Sequence, residues 1–157
     1  SCCIDSYYRA VGQAVVRASS SLPFVSKIVE VDGIPMLDGG IADSIPVQHA
    51  IDMGWQHNVV VLTRNKGWRD MGKDHKIPYL YKNYPRLRVA LSHRHRAYNE
   101  QIQLVDDLEA AGKITCIRPI RPLEVGRIEK DTDKLERLYE EGFMLGEAFC
   151  EKCVEKE

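Results

Sequence analysis

The 157-residue chain has 44% hydrophobic and 29% charged residues, enough apolar material for one globular core of ordinary size. Its formal net charge of -1, with both signs interspersed, excludes the basic footprint that nucleic acid or an anionic lipid surface would require. Apolar runs such as Val59-Val60-Val61-Leu62 fall far short of the roughly 20 residues that span a bilayer, so no membrane helix is expected.

In chain order, the segment Ser1-Cys2-Cys3-Ile4-Asp5 lacks the pattern of a signal peptide and reads as an internal starting point. Tyr7, Tyr8, Val11, Ala14, Val15 and Ala18 recur at helical spacing and predict a helix over 5 to 19, closed by Ser19-Ser20-Ser21-Leu22-Pro23. The three serines read as helix-end hydrogen bonders, because no G-x-S-x-G elbow exposes one of them as a nucleophile. Lys27 to Val31 and Ile34 to Leu37 are strand-like runs around Asp32-Gly33, the preferred two-residue turn of a tight hairpin.

A second Asp-Gly, at Asp38-Gly39-Gly40, is followed by a helix signal instead of a strand. Asp43 and Ser44 offer caps, Asp43 the favoured one, Pro46 suits a first turn, and a helix is expected over about 45 to 53, stopped by Gly54. Asn58 to Thr63 is a continuous β-branched run, expected to be a central parallel strand buried on both faces. Arg64 to Pro78 reads as a long surface loop. Pro78-Tyr79-Leu80-Tyr81-Lys82-Asn83-Tyr84 fits either helix packing or a lipid-facing surface. After Pro85, Leu87 to Leu108 mark a long helix ending at Gly112, on which Arg86, Arg88, Arg94 and Arg96 read as a solvated face. Ile114 to Ile117 is a short buried strand, and Asp131 or Thr132 opens a last helix with Leu135, Leu138, Tyr139, Phe143, Leu145 and Phe149 on one face. Alternating helices and buried strands give an α/β class, with no repeat or linker dividing the chain.

Five cysteines, an odd number, read as reduced thiols of a reducing, cytoplasmic compartment. Cys150-x-x-Cys153 supplies two of the four ligands of a structural zinc, and only Cys2 and Cys3 offer a completion, so no metal or other cofactor is expected. His93 and His95, two apart on a helix, point roughly 200° apart, and His49 and His57 lack spaced partners.

Asp38 remains the candidate for chemistry. It follows the strand run Ile34 to Leu37, and in open α/β sheets reacting groups gather beyond strand carboxyl ends. Gly39 and Gly40 permit positive φ and leave room for a substrate or another segment beside the carboxylate. A carboxylate held in that way can accept a proton from a serine, forming a dyad without histidine. The competing account is plain turn chemistry, since Asp-Gly is among the commonest turn dipeptides.

The block Leu37 to Val47, "LDGGIADSIPV", resembles the C-terminal portion of bacterial patatin-like phospholipases, as do "VRASSSLPFV" (Val16 to Val25), "NVVVLTR" (Asn58 to Arg64) and "IRPIRPLEVGRIEKD" (Ile117 to Asp131). The resemblance implies that Asp38 is the catalytic aspartate, with Gly39 and Gly40 completing a D-G-[GA] motif. Asp43 stands near where many relatives carry asparagine. It also implies a three-layer α/β/α sandwich of which these residues form roughly the second half, and lipid or ester substrates, with peripheral membrane contact left open. Neither the glycine-rich oxyanion loop nor the G-x-S-x-G serine of the family is in the sequence, so both are expected upstream of Ser1 and the 157 residues alone are expected to be inactive. Two alternatives stand beside this: a patatin-like module that binds lipid or protein without catalysis, and an unrelated α/β domain whose Asp-Gly-Gly is a turn.

Overall fold

The computed structural model describes residues 12–72, 81–126 and 129–154, with side chains to 152. The chain divides into two compact units, Ser1–Ile45 with Gly72–Tyr98, and Pro46–Met71 with Asn99–Glu157.

In the first unit, residues 12–19 form helix α1, whose expected beginning at residue 5 lies outside the described residues. Its end is tied off by the serines. Ser20 Oγ donates to the Val16 carbonyl at 3.0 Å and Ser21 Oγ to that of Arg17 at 2.7 Å, which satisfies carbonyls the last turn leaves open. Strands β1 (Val29–Val31) and β2 (Ile34–Met36) pair antiparallel with Val31 opposite Ile34. Asp32 at φ 50° and Gly33 at φ 76° put both turn residues in the left-handed region, the mirror-image turn that matches strand twist and selects Asp-Gly. Pro35 is tolerated because this ribbon has only two strands and a proline needs an edge. Ala18, Val31, Ile41, Ile45 and Tyr81 are the buried hydrophobic residues of this unit. Tyr81, 4% exposed, packs its ring tilted at 57° and 5.5 Å from that of Phe24, and its hydroxyl accepts the Phe24 N–H at 3.0 Å, holding Phe24 at φ 68°. Tyr81 thus packs inward, contrary to a lipid-facing reading; 73–80 lie outside the described residues.

In the second unit, α2 (Val47–Asp52) is shorter than expected from sequence. Its N-cap residue is Pro46, without a side-chain capping bond, where the sequence favours Asp43. The helix ends in a reciprocal pair of bonds, Gly54 N–H to Ile51 and Trp55 N–H to Ala50, with Gly54 at φ 92°. Strands β3 (Asn58–Val61) and β4 (Ile114–Ile117) run parallel in register Asn58 to Ile114 through Val61 to Ile117. The expected parallel strand is there, but it is neither central nor buried on both faces. Among the described residues its sheet has two strands, and Val59 and Val61 are 49% and 71% exposed. A β-branched run encodes strand, while double-sided burial depends on covering layers that these residues do not supply.

Helix α3 (Pro85–Ala110) stops at Gly112, φ 69°, where Gly112 N–H bonds to Glu109 and Lys113 N–H to Leu108. Helix α4 (Thr132–Val154) is capped by Asp131, whose Oδ1 accepts the N–H groups of Asp133 and Lys134 at 3.1 and 3.3 Å. Its apolar face is only partly covered. Leu138, Leu145 and Phe149 are half-buried, whereas Tyr139 and Phe143, stacked at 6.3 Å, are 70% and 55% exposed.

The start of the long loop is strapped down. Asn99, in α3, brackets Asp70 by accepting its N–H at 2.8 Å and donating to its carbonyl at 3.0 Å. Arg69 donates to Asp106 at 3.0 Å, and Arg64 lies over the Trp68 ring at 4.9 Å. Arg118, just past β4 with its side chain 9% exposed, bridges Asp106 and Glu109 with two 2.8 Å bonds. Burial pushes the Asp106 carboxyl up, but the hydrogen bonds and charges of Arg118 and Arg69 outweigh it and hold it below the ordinary range. Burial also raises the Cys116 thiol, which Arg118 only partly offsets, so the neighbouring cysteine is held protonated.

Candidate functional site

The Asp38-Gly39-Gly40 turn lies wholly in the first unit. Three short segments fix it. The end of α1 accepts the Asp38 N–H through the carbonyl of Ser21, a residue 4% exposed, at 3.0 Å. Strand β2 ends two residues before Asp38 and belongs to an antiparallel hairpin. The strand-end rule for parallel sheets therefore does not place the aspartate; the hairpin and the serine carbonyl do. Gly39–Ile41 then form a single 3-10 turn with Asp38 as N-cap, and the buried Ile41 anchors it.

The half-buried Asp38 carboxylate accepts the Gly40 N–H through Oδ1 at 2.8 Å. Among the described residues, no hydrogen bond to Oδ2 is formed. The first oxygen is committed to the cap, and the second is available as an acceptor. The carbonyl of the same residue, Gly40, accepts two bonds: Ser44 Oγ at 2.7 Å and Arg94 Nε, from α3, at 3.1 Å. Arg94 therefore does not belong to a purely solvated face, and Ser44 turns back onto this turn instead of capping α2.

The glycines differ in what they require, and neither uses the positive φ that glycine permits. A Cβ on Gly40 would lie 3.1 Å from Asp38 Oδ1 and 3.9 Å from Arg94 Nη2 and Ser44 Oγ, so bulk there displaces the carboxylate. A Cβ on Gly39 would meet nothing within 4 Å, which leaves an open approach at that position.

A cleft of about 440 Å³ in the second unit is lined by Ile51, Trp55, His57, Asn58 and Lys113 and does not include Asp38. Its lining has neither a nucleophile beside a base nor a set of ligands, so the Asp38 turn is the better candidate on chemistry. Among the described residues, no group of three or more His, Cys, Asp or Glu is arranged to hold a metal ion. Cys150 is exposed and free; Cys2 and Cys3 and the side chain of Cys153 lie outside the described residues. Among the described residues, no helix is long and apolar enough to cross a membrane.

The residues that sequence reasoning missed are Ser21, Ser44 and Arg94. Ser21 carries a local signal, since it stands at a helix end, but its carbonyl's partner is 17 positions away. Arg94 is one of four arginines on its helix, and nothing in its neighbours marks it as the one that reaches Gly40, 54 residues earlier.

Residues 9–51, which contain this turn, match the family model "Patatin-like phospholipase", and residues 84–155 match "Domain of unknown function (DUF6363)". The chain is 28% identical over 145 residues to "Uncharacterized protein YjjU" of Escherichia coli (strain K12), an alignment covering 86% of this chain and 39% of that protein. The chain thus spans well under half the length of the curated relative it matches. No solved structure matches.

Proposed function

We propose that this chain supplies the base half of a serine–aspartate acyl-hydrolase site, and that the protein carrying it cleaves carboxylic esters of lipids. The observation that carries the reading is the state of Asp38: one oxygen pinned at 2.8 Å by Gly40, the other without a bond from the described residues, on a turn inside the segment that matches patatin-like phospholipases. A carboxylate fixed at one oxygen keeps its direction while the second accepts a proton, so no reorganisation accompanies the transfer.

In this mechanism a serine hydroxyl from polypeptide other than these 157 residues approaches Oδ2 over the open Gly39 side. Asp38 takes the hydroxyl proton as the serine oxygen attacks the ester carbonyl. The tetrahedral intermediate collapses to an acyl-enzyme with loss of the alcohol, to which the proton is returned. Water then hydrolyses the acyl-enzyme with Asp38 again as base. Backbone N–H groups of the same outside polypeptide would hold the oxyanion, worth about 3 kcal/mol. The 157 residues alone are accordingly inactive, and the three-layer α/β/α architecture is the proposed setting for the complete domain. The two-stranded β3–β4 pair, with Val59 and Val61 exposed, is consistent with a sheet that other strands and helices complete.

The test is Asp38→Asn in the intact protein, assayed on a short-chain acyl ester with circular dichroism as the folding control. Asparagine keeps an oxygen for the Gly40 N–H but is not a base, so hydrolysis falls by three orders of magnitude or more while the fold survives. Near-normal turnover would remove the proposed role and leave the Asp-Gly-Gly as a structural turn in a binding module.

A further inference from the structure

We infer that Arg94 is a positioning residue for the Asp38 base, and that one task of the segment matching a domain of unknown function is to lock the aspartate turn. This rests on the serine–aspartate reading above and adds a component that neither family match assigns.

The geometry is a two-sided clamp on one residue, Gly40. Gly40 N–H donates to Asp38 Oδ1 at 2.8 Å, and the Gly40 carbonyl receives Ser44 Oγ at 2.7 Å and Arg94 Nε at 3.1 Å. Ser44 is four residues from Gly40 and belongs to the same local turn, so it moves when the turn moves. Arg94 comes from α3, 54 residues away, and is the long-range side-chain restraint on that carbonyl. Its Nη2 lies 3.9 Å from where a Gly40 Cβ would be, and Asp38 Oδ1 is 3.1 Å from the same point, so the guanidinium and the carboxylate face one small region where an added Cβ crowds the carboxylate. A planar guanidinium suits this task because its Nε–H direction is fixed by the ring-like fork, which an ammonium on a flexible stem does not reproduce. Rotation of Gly40 about its own φ and ψ would swing the N–H away from Oδ1 and with it release the carboxylate; the Arg94 bond resists that rotation from outside the turn.

The segment that matches residues 84–155 begins one residue before α3, and the segment that matches residues 9–51 contains Asp38. Arg94 and Gly40 lie in the same compact unit. The hydrogen bond between them gives the otherwise unassigned helix a direct mechanical link to the proposed base.

The experiment compares Arg94→Met, Arg94→Lys and Asp38→Asn in the intact protein on one short-chain acyl ester, with kcat and KM measured separately and thermal unfolding recorded for each. Arg94 is exposed, so methionine keeps the aliphatic stem and the fold while deleting the donor. The expected result is a fall in kcat of about tenfold for Arg94→Met with KM and melting temperature essentially unchanged, and partial recovery for Arg94→Lys. Full activity in Arg94→Met beside an inactive Asp38→Asn overturns the positioning role while leaving the dyad intact. Activity in Asp38→Asn overturns the dyad itself. A loss in Arg94→Met that tracks a lowered melting temperature, and is absent at low assay temperature, assigns Arg94 to stability and also overturns the inference.

Discussion

Adjacent glycines in the Asp38 turn respond in opposite senses to the same added methyl group. At Gly40 the new Cβ would sit 3.1 Å from Asp38 Oδ1, inside ordinary carbon–oxygen contact, and the nearest way out is rotation of the carboxylate away from the Gly40 N–H. That sacrifices a 2.8 Å capping bond to a half-buried carboxylate, about 1–2 kcal/mol at this exposure. Lower chain entropy in the unfolded state returns about 0.4–1 kcal/mol for any glycine-to-alanine change at a compatible backbone. Gly40→Ala should therefore destabilise by about 0.5–1 kcal/mol. Gly39→Ala loses nothing local, because its Cβ meets no atom within 4 Å at a φ that is not positive, and should stabilise by about 0.5 kcal/mol. Paired urea titrations followed by circular dichroism measure the difference, expected at about 1–1.5 kcal/mol with unchanged m. Equal midpoints for the two variants would refute the claim that Asp38 is held by Gly40. In the ester assay the order changes: Gly40→Ala loses activity through the displaced base, and Gly39→Ala loses it only if the serine approaches on the open side.

Other consequences are open to measurement. Asp106→Ala leaves the Arg118 guanidinium, 9% exposed, with one carboxylate instead of two and should lower stability by about 3 kcal/mol in denaturant titration. Because the Asp106 carboxyl is held below its unfolded value, its contribution is complete above that value and is lost as pH falls through the folded one. Acid unfolding of the wild type should therefore steepen below about pH 4, and Asp106→Asn should flatten that limb. Tyr81→Phe deletes the acceptor of the Phe24 N–H and should cost about 1 kcal/mol by the same titration. In a thiol-labelling time course read by mass spectrometry, exposed Cys150 should react well before Cys116, whose thiol is half-buried and held protonated.

What the sequence disclosed and what it withheld separate along one physical line. Asp32-Gly33, Gly54, Gly112 and Asp131 act within a few residues of themselves, and the hairpin turn, the two helix stops and the α4 cap were all legible. The turn at Asp38 was legible too, since its Asp-Gly-Gly motif acts locally through the bond from the Gly40 N–H. Errors fell where the deciding partner is remote or absent. Val59 and Val61 were expected to be covered and are not, because burial is a property of neighbours. Asp43 was favoured as a cap, but the N-cap residue of α2 is Pro46, and Ser44 bonds back to Gly40. Of the two reasons offered for the glycines, positive φ is not used by either, while the lack of side-chain bulk beside the carboxylate matters at Gly40. Arg94 could not be singled out at all, since a hydrogen bond across 54 positions leaves no trace in its flanking residues.

A helix that delivers one side chain to a distant turn must keep count. Between Pro85 and Arg94 each residue advances the helix by about 100° and 1.5 Å. Inserting or deleting a single amino acid in that stretch would swing the guanidinium a quarter-turn or more off Gly40, even if every other residue were retained. That short span should therefore accept substitutions far more readily than changes in length, whereas the connection beyond Arg118, which carries nothing to Asp38 among the described residues, should accept both.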